Sequence, residues 1–188
     1  MNPRLQPLPE DMWTDEHAEV LARVGADANL SGGPAPFNIF TTLAHHPKLL
    51  KRWMVFGNHV LNKSTLSPRD RELLILRTAW NCRAEYEWGH HVAIAEALGL
   101  DDEEIAAVAG GPADDRWGAD EKALLEAADD LHSESSISEA TWQRLGRHLS
   151  IEQILDLIFA VGQYHTVAFA LNSCGVELEE GYRRFPGS

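Results

Sequence analysis

The chain has 188 residues, a length that one hydrophobic core can span without splitting into separate domains. Asp and Glu number 29 against 16 Lys and Arg, a formal net charge of -13, so most of the surface would repel nucleic-acid phosphates and anionic membranes. The two cysteines are too few for a disulfide framework and are typical of a reducing cytoplasm. We therefore expect one cytoplasmic domain over residues 1–188, with no nucleic-acid or membrane partner.

Apolar residues recur at spacings of three and four almost throughout, and no run alternates as a strand would, so the sequence predicts an all-α fold. A proline-rich arm, residues 1–15, precedes the first helix. Ser67 and Pro68 form a good helix start, and Gly99 and Gly175 are suitable helix ends. Helices are predicted at 16–26, 38–45, 47–61, 68–81, 84–98, 101–108, 119–132, 138–148 and 151–172, with loops at 28–36 and 110–118.

Neither a signal peptide nor a membrane span is indicated. Residues 1–13 lack the apolar core of a signal peptide. The most membrane-like stretch, 157–176, has no formal charge but contains several polar side chains, which favour a buried helix over a bilayer span. These polar residues are Gln163, Tyr164, His165, Asn172 and Ser173.

The stretch EYEWGHH, residues 85–91, has the densest concentration of ionisable side chains in the chain. In a helix, Glu87 and His91 are four residues apart and share one face. A carboxylate beside an imidazole suits proton transfer because it orients the ring and raises its pKa towards the working pH. The same pair also occurs on solvated helices. A site is favoured by Glu72, which lies among leucines and isoleucine on the preceding helix and is therefore expected to point inward.

Metal and thiol chemistry are the competing interpretations of this stretch. Glu87 and His90 have the E-x-x-H spacing of di-iron bundles, but the nearest second candidate begins with Asp129, and two more glutamates are needed. Zinc is disfavoured because HEXXH and cysteine pairs are missing. A lone cysteine near a helix junction, such as Cys82, is typically a small buried hydrophobe. We therefore predict no metal and no cofactor.

Residues 71–108, RELLILRTAWNCRAEYEWGHHVAIAEALGLDDEEIAAV, resemble the carboxymuconolactone decarboxylase and alkylhydroperoxidase-D-like (AhpD-like) family. The resemblance covers the core of that domain, about 50–108, and the flanks 38–47 and 161–178 are similar to its longer bacterial members. The family is all-α and usually oligomeric. The resemblance thus implies an AhpD-like helical bundle that forms a homo-oligomer, from dimer to hexamer.

The peroxidase branch of the family carries a glutamate, eleven residues, C-x-x-C, three residues and a histidine. These positions correspond to Glu72, Ala84, Glu87 and His91. Neither Ala84 nor Glu87 can form a thiolate or a disulfide, so the dithiol chemistry has lost both sulfurs. Cys82 is two residues out of register, about 200° around a helix. The resemblance therefore points to the decarboxylase side of the family, which acts without a cofactor on small carboxylated lactones or keto acids.

We predict a cofactor-independent decarboxylase, or a related lyase or isomerase, with Glu72, Glu87 and His91 in one water-poor pocket. In this hypothesis His91 transfers a proton to or from the reacting carbon of a small-molecule substrate. Glu87 orients the imidazole, and Glu72 is the second acid or base. The candidate substrate contacts are Tyr86, His165, Arg77 and Arg83. The two arginines would bind a substrate carboxylate as cationic clamps.

For His165, a core position with a backbone hydrogen bond is slightly favoured over a role in the site. Three other functions compete with this prediction, the weakest of which is a metal-dependent enzyme. The chain could be an oxidoreductase of the alkylhydroperoxidase or peroxiredoxin type that uses Cys82. It could also be a non-catalytic helical oligomer or binding module on the same scaffold, which dispersed or solvated positions of Glu72, Glu87 and His91 would favour.

Overall fold

The computed structural model describes residues 3–25 and 36–187. Within these ranges the chain forms a short 3₁₀ turn at Glu10–Met12 and nine α-helices. The helices are α1 (Asp15–Gly25), α2 (Asn38–Leu43), α3 (Pro47–Asn62), α4 (Pro68–Asn81), α5 (Glu85–Ala97), α6 (Asp102–Gly110), α7 (Ala119–Glu134), α8 (Glu139–Leu145) and α9 (Ile151–Cys174). The all-α prediction is confirmed.

Most predicted boundaries fall within two residues of the observed ones. The largest difference is at α8, which ends at Leu145 rather than His148 because Gly146 is its C-cap and 146–148 form a turn. The predicted proline-rich arm contains the 3₁₀ turn. The predicted loop 28–36 lies outside the described residues except for Pro36.

The helix ends are fixed by local polar contacts. The Ser67 side chain accepts a hydrogen bond from Asp70 N at 3.1 Å, and Pro68 occupies the first helical position of α4. Ser150 and Gln153 form a capping box at the start of α9. Gly175 ends α9 in the left-handed conformation, with φ 69°. Short-range sequence signals therefore set these boundaries.

Helix α4 is the centre of the bundle and packs against α5, α6, α7 and α9. Its four consecutive residues 73–76 are buried and belong to three different apolar clusters. These four positions span most of one helical turn, so the helix has to be covered on nearly all sides at this level. This position removes the neighbouring Glu72 completely from solvent.

Residues 175–187, the C-terminal segment, pack along α5. A Cβ added at Gly89 would lie 2.8 Å from Arg183 O and 2.8 Å from Leu178 Cδ2, so only a glycine allows this approach without a shift. Phe185 packs on the Trp80 and Trp88 rings. The segment therefore covers the helix that carries the EYEWGHH stretch.

Helix α9 is long and apolar enough to cross a membrane, as judged by length and composition within the described residues. Half of its most apolar window is buried in the fold, and it packs against α3, α4, α5 and α7, as a core helix does. Four large apolar side chains point out of the fold on this helix. They are Ile151, Leu155, Phe159 and Phe169.

Candidate active site

The turn between α4 and α5 folds the two helices back on each other. Arg83 adopts a left-handed conformation there, with φ 52°, and Ala84 N donates a hydrogen bond to Ala79 O. The turn brings Glu72 on α4 against His91 on α5, although the two are 19 residues apart in sequence. One helical hairpin therefore supplies all three predicted acid and base residues.

His91 lies between two carboxylates. Its Nδ1–H donates to Glu72 Oε2 at 2.6 Å, and its Nε2 lies 3.4 Å from Glu87 Oε1, an ion-pair distance longer than a good hydrogen bond. All three side chains are buried. The three side chains therefore lie together and away from solvent, and the carboxylate closer to His91 is Glu72 rather than Glu87.

The two carboxylates decide the charge of the imidazole. Burial acts to lower the pKa of His91, but the charge and hydrogen bond of Glu72, followed by those of Glu87, outweigh it and raise this pKa to about 9. At neutral pH His91 is therefore an imidazolium. A buried imidazolium can donate a proton, and its position at two carboxylates restores that proton readily.

Glu87 has one oxygen that the described residues leave unsatisfied. Oε1 faces His91, whereas Oε2 is buried and makes no hydrogen bond within 3–25 and 36–187. An unsatisfied buried carboxylate oxygen costs free energy unless something binds it. The arrangement therefore offers a free acceptor to a donor on a bound molecule.

Two neighbours of this cluster, Arg71 and Tyr164, were not predicted from the sequence. Arg71 Nε donates to Glu72 Oε1 at 3.1 Å, and its side chain is mostly buried. The Tyr164 ring packs edge-on against the His91 ring, with centroids 4.9 Å apart. Burial, followed by the charges of Glu87 and Glu72, raises the pKa of Tyr164 well above its ordinary value, so its phenol stays protonated. Arg71 directly precedes Glu72 in the sequence, and this position was the one indication of its contact with the cluster.

The hydroxyl of Tyr86 makes no hydrogen bond to Glu72, Glu87 or His91. Its hydroxyl donates to Glu179 Oε1 at 2.9 Å and accepts from Ile39 N at 3.1 Å. His90, also outside the cluster, places Nε2 2.7 Å from Glu179 Oε2. Both side chains anchor the C-terminal segment to α5, so the expectation of a substrate contact at Tyr86 is replaced by a structural role.

The two arginines proposed as clamps differ. Arg77 makes a bidentate pair with Asp129, at 2.6 and 2.9 Å, and donates to the carbonyls of Val108 and Ala109 at 3.0 Å each. These contacts use its guanidinium, so Arg77 is a structural link between helices and not a clamp. Arg83 is exposed, and its side chain makes no hydrogen bond to the described residues.

His165 belongs to a second group of side chains. Its Nδ1 donates to Val161 O at 2.8 Å, the backbone bond favoured for this residue. Its Nε2 faces His132 Nδ1 at 2.9 Å, and that nitrogen lies 3.9 Å from Cys82 Sγ. Cys82 is half-buried beside an imidazole and not simply a core hydrophobe. This group was not predicted from the sequence, because its members lie far apart along the chain.

Comparison with known proteins adds family and fold. The model of the Carboxymuconolactone decarboxylase family matches residues 47–130. No curated protein matches the chain.

Solved structures share the fold at low identity. A peroxidase-related protein from Ralstonia eutropha JMP134, described as an alkylhydroperoxidase AhpD core, has TM-score 0.80 and 19% identity, covering 96% of this chain and 95% of its own. A putative antioxidant defence protein AhpD from Agrobacterium tumefaciens has TM-score 0.69 and 21% identity, covering 73% and 94%. The debrominase Bmp8, in complex with 2,3,4-tribromopyrrole, has TM-score 0.78 and 16% identity, covering 96% and 94%.

The matched span includes both helices of the hairpin that carries the His91 cluster. The fold extends the likeness beyond that span on both sides, as the coverage of the solved structures indicates. Residues 47–130 thus match the carboxymuconolactone decarboxylase family, and the fold is similar to that of AhpD-like structures.

Proposed function

We propose that the chain is a cofactor-independent enzyme that performs acid–base chemistry on a small carboxylated lactone or keto acid, by decarboxylation or a related lyase or isomerase step. The observation that carries the proposal is the free, buried Oε2 of Glu87 next to a protonated imidazole. A donor and an acceptor of protons lie side by side where water is largely excluded, which is the arrangement that general acid–base catalysis needs.

The geometry supports exchanged roles for the two carboxylates. Glu72 is fully buried, held by Arg71 and bonded to Nδ1 of His91, which suits it to orient the ring and hold its charge. Glu87 has the free oxygen and lies beside Nε2, the nitrogen facing away from Glu72. We therefore assign His91 as the acid, Glu87 as the base or proton relay, and Glu72 as the positioning residue.

A decarboxylation written with these groups balances without a cofactor. The bond between the reacting carbon and its carboxylate breaks, CO₂ leaves, and the electron pair enters the conjugated carbonyl as an enolate. The positive charge of His91 stabilises that enolate, and its Nε2 proton is then transferred to the carbon. Glu87 returns a proton to His91 from solvent. An isomerisation uses the same groups, with Glu87 removing the proton that His91 replaces elsewhere.

The substrate carboxylate needs a cation that is still free to bind. Arg71 lies at the cluster, and beyond its Nε bond to Glu72 it makes no further hydrogen bond to the described residues. Its remaining guanidinium nitrogens suit a carboxylate. Arg83 is the second cationic candidate, and the Tyr164 ring would form one wall beside the imidazole. A compact anion with a carbonyl group fits this set of contacts.

The alternative of a hydroperoxide reductase using Cys82 has one observation in its favour, the His132 imidazole 3.9 Å from the thiol. Against it, burial and then the charge of Glu87 raise the pKa of Cys82 to about 11, which keeps the thiol protonated and weakly nucleophilic. Titration of free thiols before and after an organic hydroperoxide distinguishes the two functions. Consumption of the Cys82 thiol with turnover would favour the reductase.

We also propose that the chain forms a homo-oligomer. The outward face of α9 exposes Phe159, whose ring packs edge-on against Phe56 of α3 at 6.1 Å between centroids. Both side chains are exposed, as are Leu155, one turn before Phe159 on α9, and Val55, the residue before Phe56 on α3. Exposed apolar patches of this kind mark contacts between proteins.

The test of the catalytic proposal is a panel of small carboxylated lactones and keto acids, followed by CO₂ release and by exchange of solvent deuterium into the substrate. We expect His91→Gln and Glu87→Gln to lose ~100-fold or more of the turnover number, in line with the usual contribution of a general acid or base. The matched control is His90→Gln, on the same helix but bonded to Glu179. Turnover that survives in folded His91→Gln would refute the assignment.

A further inference from the structure

Outside the His91 cluster, three metal-ligating side chains converge from three helices. Cys82 is the C-cap residue of α4, His132 lies in the last turn of α7, and His165 lies within α9. Their ligand atoms Sγ, Nδ1 and Nε2 all lie within 4.8 Å of one another. The contact distances are 2.9 Å between the two imidazole nitrogens and 3.9 Å between Cys82 Sγ and His132 Nδ1.

These separations match a common centre. With bond lengths of about 2.0–2.1 Å to nitrogen and about 2.3 Å to sulfur, a tetrahedral zinc ion sets its ligands about 3.3 Å apart for two nitrogens and about 3.6 Å apart for nitrogen and sulfur. The observed values lie on either side of these distances. The third separation, between Cys82 Sγ and His165 Nε2, lies within 4.8 Å, so the side chains have to move closer together for all three atoms to bind one ion.

Hydrogen bonding fixes His165 in the form that binds metals. Its Nδ1–H donates to Val161 O at 2.8 Å, which leaves the lone pair on Nε2. Metal-bound histidines typically donate their other N–H to a carbonyl or carboxylate, because this fixes the tautomer and the ring direction. The lone pair of His165 points at His132 and needs either the Nδ1 proton of that residue or a cation.

The backbone and the charges around the group are also held in place. Asn172 Nδ2 donates to Cys82 O at 2.9 Å and fixes the C-cap residue to α9. Asp129, one turn before His132 on α7, is bonded to Arg77 and Asn81, which leaves it unavailable as a ligand. The protein thus offers three ligand atoms here among the described residues, and a fourth position stays open to water.

We propose that Cys82, His132 and His165 bind a divalent transition metal of the zinc class, with water as fourth ligand. One thiolate and two imidazoles suit zinc or cobalt, whereas magnesium and calcium prefer oxygen ligands. Three protein ligands and one open position are typical of zinc sites that bind exchangeable molecules, rather than of closed structural sites. The metal site is separate from the proposed acid–base cluster and does not depend on its function.

Binding must displace a proton from Cys82. The thiol plus M²⁺ gives the thiolate–metal bond and one H⁺, which passes to the buffer. Because the metal and the proton compete for the sulfur, affinity should rise with pH over the neutral range.

The experiment uses the full-length chain without a histidine tag, stripped with a chelator and titrated with Co²⁺ and then Zn²⁺. We expect one equivalent of Co²⁺ to bind, with a thiolate-to-cobalt charge-transfer band that Zn²⁺ abolishes. Titrations in buffers of different ionisation enthalpy should give about one proton released per metal bound. The absence of stoichiometric binding would overturn the proposal.

Variants identify the ligands. Cys82→Ser should abolish the charge-transfer band, and His132→Asn or His165→Asn should each weaken binding ~10-fold or more. The matched controls are Cys174→Ser, the other half-buried free thiol, and His59→Asn, an exposed histidine. A band that survives Cys82→Ser, or disappears in Cys174→Ser, would refute the assignment. His91→Gln should bind the metal normally, which keeps this result independent of the catalytic proposal.

Discussion

The charge of His91 at neutral pH is the most informative quantity to perturb, and Glu72→Gln is the change that perturbs it. Glutamine keeps the size of the side chain and one acceptor oxygen but removes the negative charge 2.6 Å from Nδ1. Glu72 is completely buried, so no solvent screens this interaction. Of the groups that raise the pKa of His91, Glu72 contributes most.

The magnitude follows from the pKa of His91. The difference between its ordinary value of 6.5 and about 9 corresponds to about 3 kcal/mol, at 1.36 kcal/mol per pKa unit. This is a net value, because burial acts in the opposite direction and remains in the variant. Losing an opposite charge at this distance changes a pKa by ~1–3 units. We expect the pKa of His91 in Glu72→Gln to fall to near or below 6.5.

The assay is an NMR titration of the histidine ring nitrogens between pH 5 and 10, a range that covers the deprotonation of His91 in the wild type and in the variant. Long-range nitrogen–proton spectra separate the imidazolium from both neutral tautomers. The control is Glu179→Gln, which removes a carboxylate bonded to His90 on the same helix, and which should leave the His91 titration unchanged. The pH dependence of turnover should lose its alkaline limb near pH 9 in parallel.

Two results would refute this reasoning. Wild-type His91 that titrates near 6.5 would mean that the carboxylates do not outweigh burial. An unchanged pKa of His91 in folded Glu72→Gln would mean that Glu87 alone holds the charge, and the positioning role of Glu72 would then be wrong.

Three further predictions follow from the packing. Because the pKa of His91 in the folded protein lies above 6.5, its contribution to stability is complete below pH 6.5 and is lost as the pH rises through 9. The free energy of unfolding of the wild type, measured in urea, should therefore fall by about 3 kcal/mol over this range, whereas that of His91→Gln should not. Gly89→Ala should displace the C-terminal segment and speed its proteolysis, whereas Gly162→Ala, which meets no atom within 4 Å, should not. Phe159→Glu should reduce the oligomer to smaller species in light scattering, and Leu98→Glu, on another exposed apolar residue, should not. Unchanged mass in Phe159→Glu, equal proteolysis of both glycine variants, or equal pH dependence of both chains would contradict the respective prediction.

Local sequence signals determined where the helices lie and that Glu87 and His91 share one helix face. Helix ends are set by contacts over three or four residues, so they can be predicted without knowledge of the fold. This holds for the caps Ser67 and Ser150 and for Gly175 after α9. The spacing of Glu87 and His91 placed them on one helix face for the same reason. The inward position of Glu72 followed from its apolar neighbours.

Contacts between distant segments could not be read in this way. The sequence did not show that Glu72 rather than Glu87 holds His91 most closely, since that depends on how α4 and α5 pack. It did not show that Tyr86 bonds to Glu179, 93 residues away, or that Arg77 bonds to Asp129, 52 residues away.

The tertiary structure alone brought Cys82, His132 and His165 together, 50 and 33 residues apart along the chain. No periodicity links such residues, because helix spacing reports only neighbours within about one turn. Sequence by itself thus determined where the helices lie and which face is polar. The packing of α4, α7 and α9 decided which polar side chains meet, and so which chemistry each can perform.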